Sequence, residues 1–307
     1  MRGLFRGGSM AALALLVSAA VAAQVQVEKR TAAPPAGVLA VENSFGSVTV
    51  KAWSDPEVLV RGVLAAGAEG LDFDGDEEGV GIDVDVPDAW FYASDDDSEY
   101  RTDLTIYAPV GSSVWVETVN ASVVVEGFRG EVEVETVNGS VSVSGGPTAV
   151  EVDSLTGTID VRAEGAPMAV ESISGRVSLS GVTGEVEVET VSGAVEVEGW
   201  DLESVQVQTT SGDVRFRGAV CIGAIPEGEL EVETFSGAVR LELPASIRAR
   251  FELTTFAGEI TNELGPSVSS AERFQPYKTL RFSTGLDDCE VMVQTHDSNI
   301  GLSVLSE

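Results

Sequence analysis

A repeat of 18 residues is the feature that most constrains the fold of this chain. The repeat is centred on a series of glycines, which follows Ala121 four times at intervals of 18 and then at intervals of 19, 25 and 21. These corner positions are Gly139, Gly157, Gly175, Gly193, Gly212, Gly237 and Gly258. A unit this short cannot bury an apolar face by itself, so successive units are expected to stack on one another.

Hydrophobic residues alternate with polar ones on both sides of each glycine, as in the copy from Val132 to Val143. A period of two is typical of β-strands, so each copy predicts two short strands joined at a tight corner, where glycine permits a positive φ. Stacked copies would place each valine about 4.8 Å from its equivalent. The sequence therefore predicts an all-β fold: a single-stranded parallel β-solenoid, like a β-helix, with repeats of about 18 residues and irregular capping strands or a hairpin at each end.

Two further rows follow from the same register. A serine or threonine stands three residues before each corner on the inward parity, and we expect these hydroxyls to bond to the backbone of the corners. The outward position before it carries acids, namely Glu117, Glu135, Asp153, Glu171 and Glu189. Stacked carboxylates repel by about 1 kcal/mol per neighbouring pair in a watery dielectric. A solvated face screened by salt is favoured over a row of calcium ions, because the glycine-rich nonapeptide of calcium-binding β-rolls is missing.

The ends of the chain depart from the repeat. Residues 1–23 predict a signal peptide, because Arg2 and Arg6 precede a short apolar run and small residues follow it. After it we predict an N-terminal linker (24–37), an N-terminal cap with a first repeat and an acidic insertion (38–110), the regular repeats (111–264), and a C-terminal hairpin with a closing repeat (265–307). The protein is expected to be exported, to a periplasm or outside the cell, with no transmembrane segment in the mature chain.

The repeats resemble a known group of exported bacterial proteins, the β-strand-repeat proteins of unknown function labelled putative adhesins. The resemblance begins with Glu42-Asn43-Ser44-Phe45-Gly46-Ser47-Val48 and continues with Ala108-Pro109, the regular copies, and the segment from Leu280 to Leu302. It covers nearly the whole chain after the signal peptide. The resemblance implies the fold of the chain and its export, and it assigns no catalytic residues.

The net charge and the absence of catalytic motifs exclude several classes of function. There are 50 acidic residues against 18 basic ones, a net charge of -32, which repels nucleic acids and attracts cations or basic partners. The repeats contain no histidine, and no nucleophile elbow or phosphate loop occurs. We therefore expect a non-catalytic surface, adhesin-like or scaffold protein, whose partner is an unknown protein or carbohydrate of the cell envelope. The alternative is a carbohydrate-active enzyme, a lyase or glycosidase, built on a β-helix.

Two segments offer candidate binding residues. Asp72, Asp74 and Asp76 are calcium candidates in an acidic run, although Glu77 replaces the glycine that an EF-hand loop requires, and a solvated loop is the other interpretation. The aromatic residues Trp90, Phe91, Tyr92 and Trp115 are candidates for a sugar or peptide surface, and equally for a cap over the open end of the stack. Apart from calcium, no cofactor is expected.

The chain contains only two cysteines, Cys221 and Cys289. Export permits a disulfide between them, and two buried free thiols are the alternative. Two cysteines and the single His296 do not predict a structural zinc site.

Overall fold

The computed structural model describes residues 24–87, 90, 100–220, 228–266, 277–285 and 289–305. No α-helix occurs among these residues, and so none that could cross a membrane. Their strands are β1 (Val25–Ala32), β2 (Val38–Trp53), β3 (Glu57–Leu64), β4 (Gly70–Gly75), β5 (Gly79–Asp85), β6 (Thr102–Pro109), β7 (Ser113–Glu126), β8 (Val132–Asn138), β9 (Val141–Gly145), β10 (Val150–Thr156), β11 (Ile159–Ala163), β12 (Met168–Ser174), β13 (Val177–Ser192), β14 (Val195–Ser211), β15 (Val214–Val220), β16 (Gly228–Ser236), β17 (Val239–Leu243), β18 (Arg250–Thr255), β19 (Ile260–Asn262), β20 (Lys278–Ser283), β21 (Cys289–Thr295) and β22 (Ile300–Val304).

The repeats stack as parallel rungs, each with one strand before its corner and one after it. Val152 lies opposite Val134 on one side and Val170 on the other, an offset of 18 residues in both directions. The strands after the corner pair in the same way, with Ile159 between Val141 and Val177. Apolar side chains from both stacks of strands meet in one buried cluster, and the alternation along β8 and β10 separates these core residues from solvent-facing ones.

The corner glycines are required by the close approach of successive rungs. Gly157 has a φ of +145°, and a Cβ placed there would lie 1.7 Å from the carbonyl oxygen of Gly139. The same clash recurs from Gly175 to Gly157 and from Gly193 to Gly175. Any side chain at these corners would push two rungs apart, so the repeat needs glycine for space as well as for backbone conformation.

The stack is not a plain solenoid. Strand β7 continues past Ala121, the first position of the corner series, and β13 continues through the connection between two rungs, so each of them belongs to both stacks. The pairing of β13 with β14 shifts its register near Val182 and Gly184. The pairings run from β7 through β8, β10, β12, β13, β11 and β9 back to β7, which is a closed ring of seven parallel strands. Further strands continue the stack on both sides of this ring. The predicted all-β stack of parallel repeats is therefore confirmed, but the plain solenoid was wrong, because backbone pairing continues from one stack of strands into the other and closes the ring.

The N-terminal end contains strands that the repeat did not predict. The segment 24–37 was predicted as a linker, but it contributes β1, which pairs antiparallel with β3 along its full length. Strand β3 pairs antiparallel with β6, and β6 pairs parallel with the second half of β2. The first half of β2 lies between β5 and β7. The linker prediction failed because β1 is largely polar and takes part through backbone hydrogen bonds at an edge.

The C-terminal strands do not follow chain order. Strand β20 pairs antiparallel with β18, whereas β21 pairs parallel with both β16 and β18. Val293 thus lies between Val232 and Leu253, and β22 lies between β17 and β19 in the same way. The last strands of the chain are a rung inserted inside the stack. The predicted hairpin of β20 and β21 was wrong, because alternation shows which side chains are buried but not which strand is the neighbour.

Candidate functional site

A long groove follows the stack on the side of the residues that precede the corners. It encloses about 990 Å³ and is lined by residues from nine successive rungs, from that of Thr118 to that of Phe256. Each rung contributes up to three consecutive residues to it. We call the three resulting rows the acidic wall, the hydroxyl floor and the apolar wall.

The acidic wall consists of Glu117, Glu135, Asp153, Glu171, Glu189 and Glu233. The first five lie opposite one another in successive parallel strands, so their carboxylates repeat at strand spacing. Burial, followed by the charges of Glu171, Glu151 and Glu135, raises the pKa of Asp153 above its usual value. Within the described part of the chain, no acidic-wall residue has a salt-bridge partner. The wall therefore carries uncompensated negative charge.

The hydroxyl floor consists of Thr118, Thr136, Ser154, Ser172, Thr190, Thr209, Thr234 and Thr295. All of them are more than nine-tenths buried. The expectation that the hydroxyls of this row bond to the corner backbone holds for Thr190, whose hydroxyl donates to the carbonyl of Ser192 at 3.5 Å. It also holds for Thr255 of the same row, whose hydroxyl accepts from the N–H of the corner Gly258 at 3.0 Å, whereas Thr118 donates to Thr136 at 2.8 Å. The hydroxyls of five others have no hydrogen-bond partner among the described residues, namely Ser154, Ser172, Thr209, Thr234 and Thr295. Most of the floor is thus buried and unsatisfied.

The apolar wall consists of Val137, Leu155, Ile173, Val191, Phe235 and Phe256. Its central members are exposed, with 48% of Leu155 and 53% of Ile173 accessible to solvent. At one end of the groove, the ring of His296 stacks between those of Phe235 and Phe256, with centroids 4.6 and 4.8 Å apart. This wall was not predicted from the sequence. The available signal was an apolar residue on the outward parity, two positions before the glycine, in several consecutive repeats.

The predicted aromatic residues lie elsewhere. Trp90 is half-buried and packs against Phe45 and Tyr100, with ring centroids 6.3 and 4.6 Å away. Trp115 is also half-buried, and it lies opposite Ala40 and Glu133, outside the groove. Phe91 and Tyr92 lie outside the described residues.

The calcium candidates belong to a hairpin. Asp72 and Asp74 lie in β4, which pairs antiparallel with β5, and Asp76 follows in the turn. The Asp76 carboxylate accepts hydrogen bonds from the backbone N–H groups of Glu78 and Gly79 at 2.8 and 3.0 Å, and these bonds lower its pKa. Among the residues that the structure describes, no group of three or more His, Cys, Asp or Glu side chains could hold a metal ion. Asp76 thus has a structural partner in its own turn.

Cys289 begins β21, is buried and is disulfide-bonded. It lies opposite Gly228 at the start of β16, because of the inserted rung. Cys221 lies outside the described residues, so the pairing of the two cysteines stays a prediction. The inserted rung thus places Cys289 beside the strand that begins at Gly228, seven residues after Cys221 in the sequence.

The chain matches a known protein family over nearly all of its repeats. The family model of the Toastrack domain, DUF4097, matches residues 47–303. The chain belongs to this family. The match extends over the regular repeats and the inserted terminal rung, and the resemblance inferred from the sequence is confirmed. No curated protein matches the chain.

Solved structures similar to this Toastrack protein include two described as putative adhesins. One is from Parabacteroides merdae, with 8% identity and a TM-score of 0.36, over 90% of this chain and 95% of that one. The other is from Parabacteroides distasonis, with 8% identity and a TM-score of 0.36, over 92% of this chain and 98% of that one. A putative cell adhesion protein from Clostridium sporogenes has 8% identity and a TM-score of 0.23, over 91% and 100%.

Proposed function

We propose that this protein is a non-catalytic, exported binding protein of the cell envelope, adhesin-like in kind, and that the long groove is its binding surface. The observation that carries this proposal is the exposed apolar wall beside the acidic wall. A solenoid needs apolar residues only in its core, and contiguous exposed apolar side chains beside a polar rim are typical of interaction sites. Four consecutive rungs of the groove, those of Glu135, Asp153, Glu171 and Glu189, also offer the same three chemistries, which suits an elongated partner.

The arrangement of charge favours binding over glycoside cleavage. Glycosidases place two carboxyl groups on opposite sides of the bond that they cleave. In the described groove, the carboxylates occupy one wall and apolar side chains occupy the other. A carbohydrate-active enzyme therefore finds less support in this geometry than a binding protein does.

The experiment uses the chain without its signal peptide, immobilised and exposed to cell-envelope extract. Leu155→Ser with Ile173→Ser removes apolar-wall surface from exposed positions, so the fold should be kept. Trp200→Ser is the matched control, because Trp200 is 45% exposed and does not line the groove. We expect capture of envelope material by the native chain and the control, and its loss in the groove variant. Equal capture by all three would refute the groove as the binding surface, and release of reducing sugar ends from envelope polysaccharide would refute the non-catalytic assignment.

A further inference from the structure

We infer that the groove binds an extended polypeptide segment in which lysine or arginine alternates with apolar residues. This inference rests on the proposed function and names the class of its partner. Side chains of an extended strand point alternately to opposite sides. A strand of this composition therefore presents a basic face and an apolar face, and the groove has an acidic wall and an apolar wall to receive them.

The acidic wall calls for a partner that brings positive charge. Its six carboxylates have no salt bridge in the described structure, and no described lysine or arginine lines the groove. Basic side chains at alternate positions of a strand would compensate this charge. Their aliphatic stems would pack along the groove while their charged heads reach the carboxylates.

The hydroxyl floor is the independent observation that points to a ligand. The hydroxyls of Ser154 and Ser172, at the centre of the groove, are buried without partners, and so are those of Thr209, Thr234 and Thr295. A buried polar group without a hydrogen bond lowers the stability of the fold, so a ligand that supplies the missing bond is favoured. A hydroxyl both donates and accepts, as does the N–H and C=O edge of an extended strand. These oxygens are buried in the unbound chain, so a strand with one edge toward the floor would satisfy them when the side chains rotate toward it.

The groove is also long enough for such a segment. Nine rungs separated by about 4.8 Å span about 38 Å, and an extended chain at about 3.3 Å per residue covers that length with about 12 residues. A small cation would use the carboxylates and leave the apolar wall without a role. The described carboxylates also form no group that could hold a metal. The two walls and the floor together match a strand.

The test measures fluorescence anisotropy of labelled 12-residue peptides with the chain after signal removal. One peptide alternates lysine with valine, a second alternates glutamate with valine, and a third alternates lysine with serine. We expect the lysine–valine peptide to bind at least about tenfold more tightly than either control. Its affinity should fall as the salt concentration rises from 50 to 200 mM, because the pairs formed at the acidic wall are screened.

Matched variants locate the binding. Glu135→Gln with Glu171→Gln removes two charges from the acidic wall, and we expect about tenfold weaker binding. Glu151→Gln with Glu187→Gln removes the same net charge from the neighbouring row, which does not line the groove, and should change the affinity less than about twofold. Ser154→Ala with Ser172→Ala should weaken binding about fivefold without lowering the melting temperature, because these hydroxyls have no partner to lose.

Three results would overturn the inference. The first is equal binding of the lysine and glutamate peptides. The second is equal loss in the two charge variants, which would indicate attraction by net charge alone. The third is binding of the neutral oligosaccharide cellohexaose in place of the peptides, with loss in Leu155→Ser and Ile173→Ser. That third result would leave the proposed function intact, whereas groove-independent capture of envelope material would remove it.

Discussion

Replacing Val152 by aspartate tests the inward parity of the repeat, and its cost can be worked out from the structure. Val152 is fully buried between Val134 and Val170. An aspartate there has no described partner, so it is buried most cheaply in its protonated form. Protonation at pH 7 of a group with an ordinary pKa of about 3.9 costs about 4 kcal/mol, because each pKa unit corresponds to about 1.4 kcal/mol. The lost apolar burial adds about 1–2 kcal/mol. A total of about 5–6 kcal/mol is comparable to the entire stability of many domains.

The neighbouring residue gives the matched comparison. Asp153 points outward and lies opposite Glu135 and Glu171, each of which repels it by about 1 kcal/mol before screening by salt. Asp153→Asn removes that repulsion with almost no change in shape, so it should leave the free energy of unfolding unchanged or raise it by up to about 1 kcal/mol. Val152→Ala, which shortens the side chain without adding a charge, should cost about 2 kcal/mol.

Urea unfolding followed by circular dichroism measures all three variants, and the shift of the midpoint at constant slope gives the change in stability. Val152→Asp should unfold at far lower urea than Val152→Ala, and Asp153→Asn at the native midpoint or above. If Val152→Asp and Asp153→Asn unfolded within about 0.5 kcal/mol of each other, the assignment of inward and outward positions would be wrong.

Three further outcomes are expected. Gly157→Ala should destabilise the fold by more than about 2 kcal/mol in thermal unfolding, because its Cβ would overlap the Gly139 carbonyl, whereas Gly146→Ala, which meets nothing within 4 Å, should be neutral. The raised pKa values of four carboxyls (Glu42, Asp83, Glu133 and Asp153) mean that the folded state binds protons more tightly, so the melting temperature should rise as the pH falls from 7 toward their ordinary values of 3.8 to 4.5; a fall over this range would contradict it. Denatured, unreduced protein should show no reactive thiol, and Cys289→Ser should cost about 4 kcal/mol; two reactive thiols would exclude the bridge to Cys221.

The rungs could be predicted in detail because their rules are local. Alternation along β8 and β10 follows from the pleat of a strand, and repetition at 18 residues carries that pattern from one rung to the next. Glycine at Gly157 satisfies both the backbone conformation and the contact with Gly139. These requirements are set by neighbouring residues and by identical copies, so they can be recognised in a sequence with no knowledge of the rest of the fold.

The groove could be predicted only in part. The acidic wall and the hydroxyl floor were visible as rows in the sequence, but that they line one concave surface together with Leu155 and Ile173 is visible only in the structure. The partnerless hydroxyls of Ser154 and Ser172 were not predictable either, because the sequence indicates that a hydroxyl is inward but not what lies within its reach.

The sequence alone determined which residues face the core, where the corners lie and how far apart the rungs are, because strand periodicity and glycine stereochemistry act over a few residues. Only the tertiary structure decided the order of strands at the ends of the stack. A parallel edge accepts any strand of matching alternation, and β21 has the same alternation as β16 and β18. Its place between them results from packing of the whole chain. The same insertion brings His296 between Phe235 and Phe256, and thus completes one end of the groove from residues far apart in sequence.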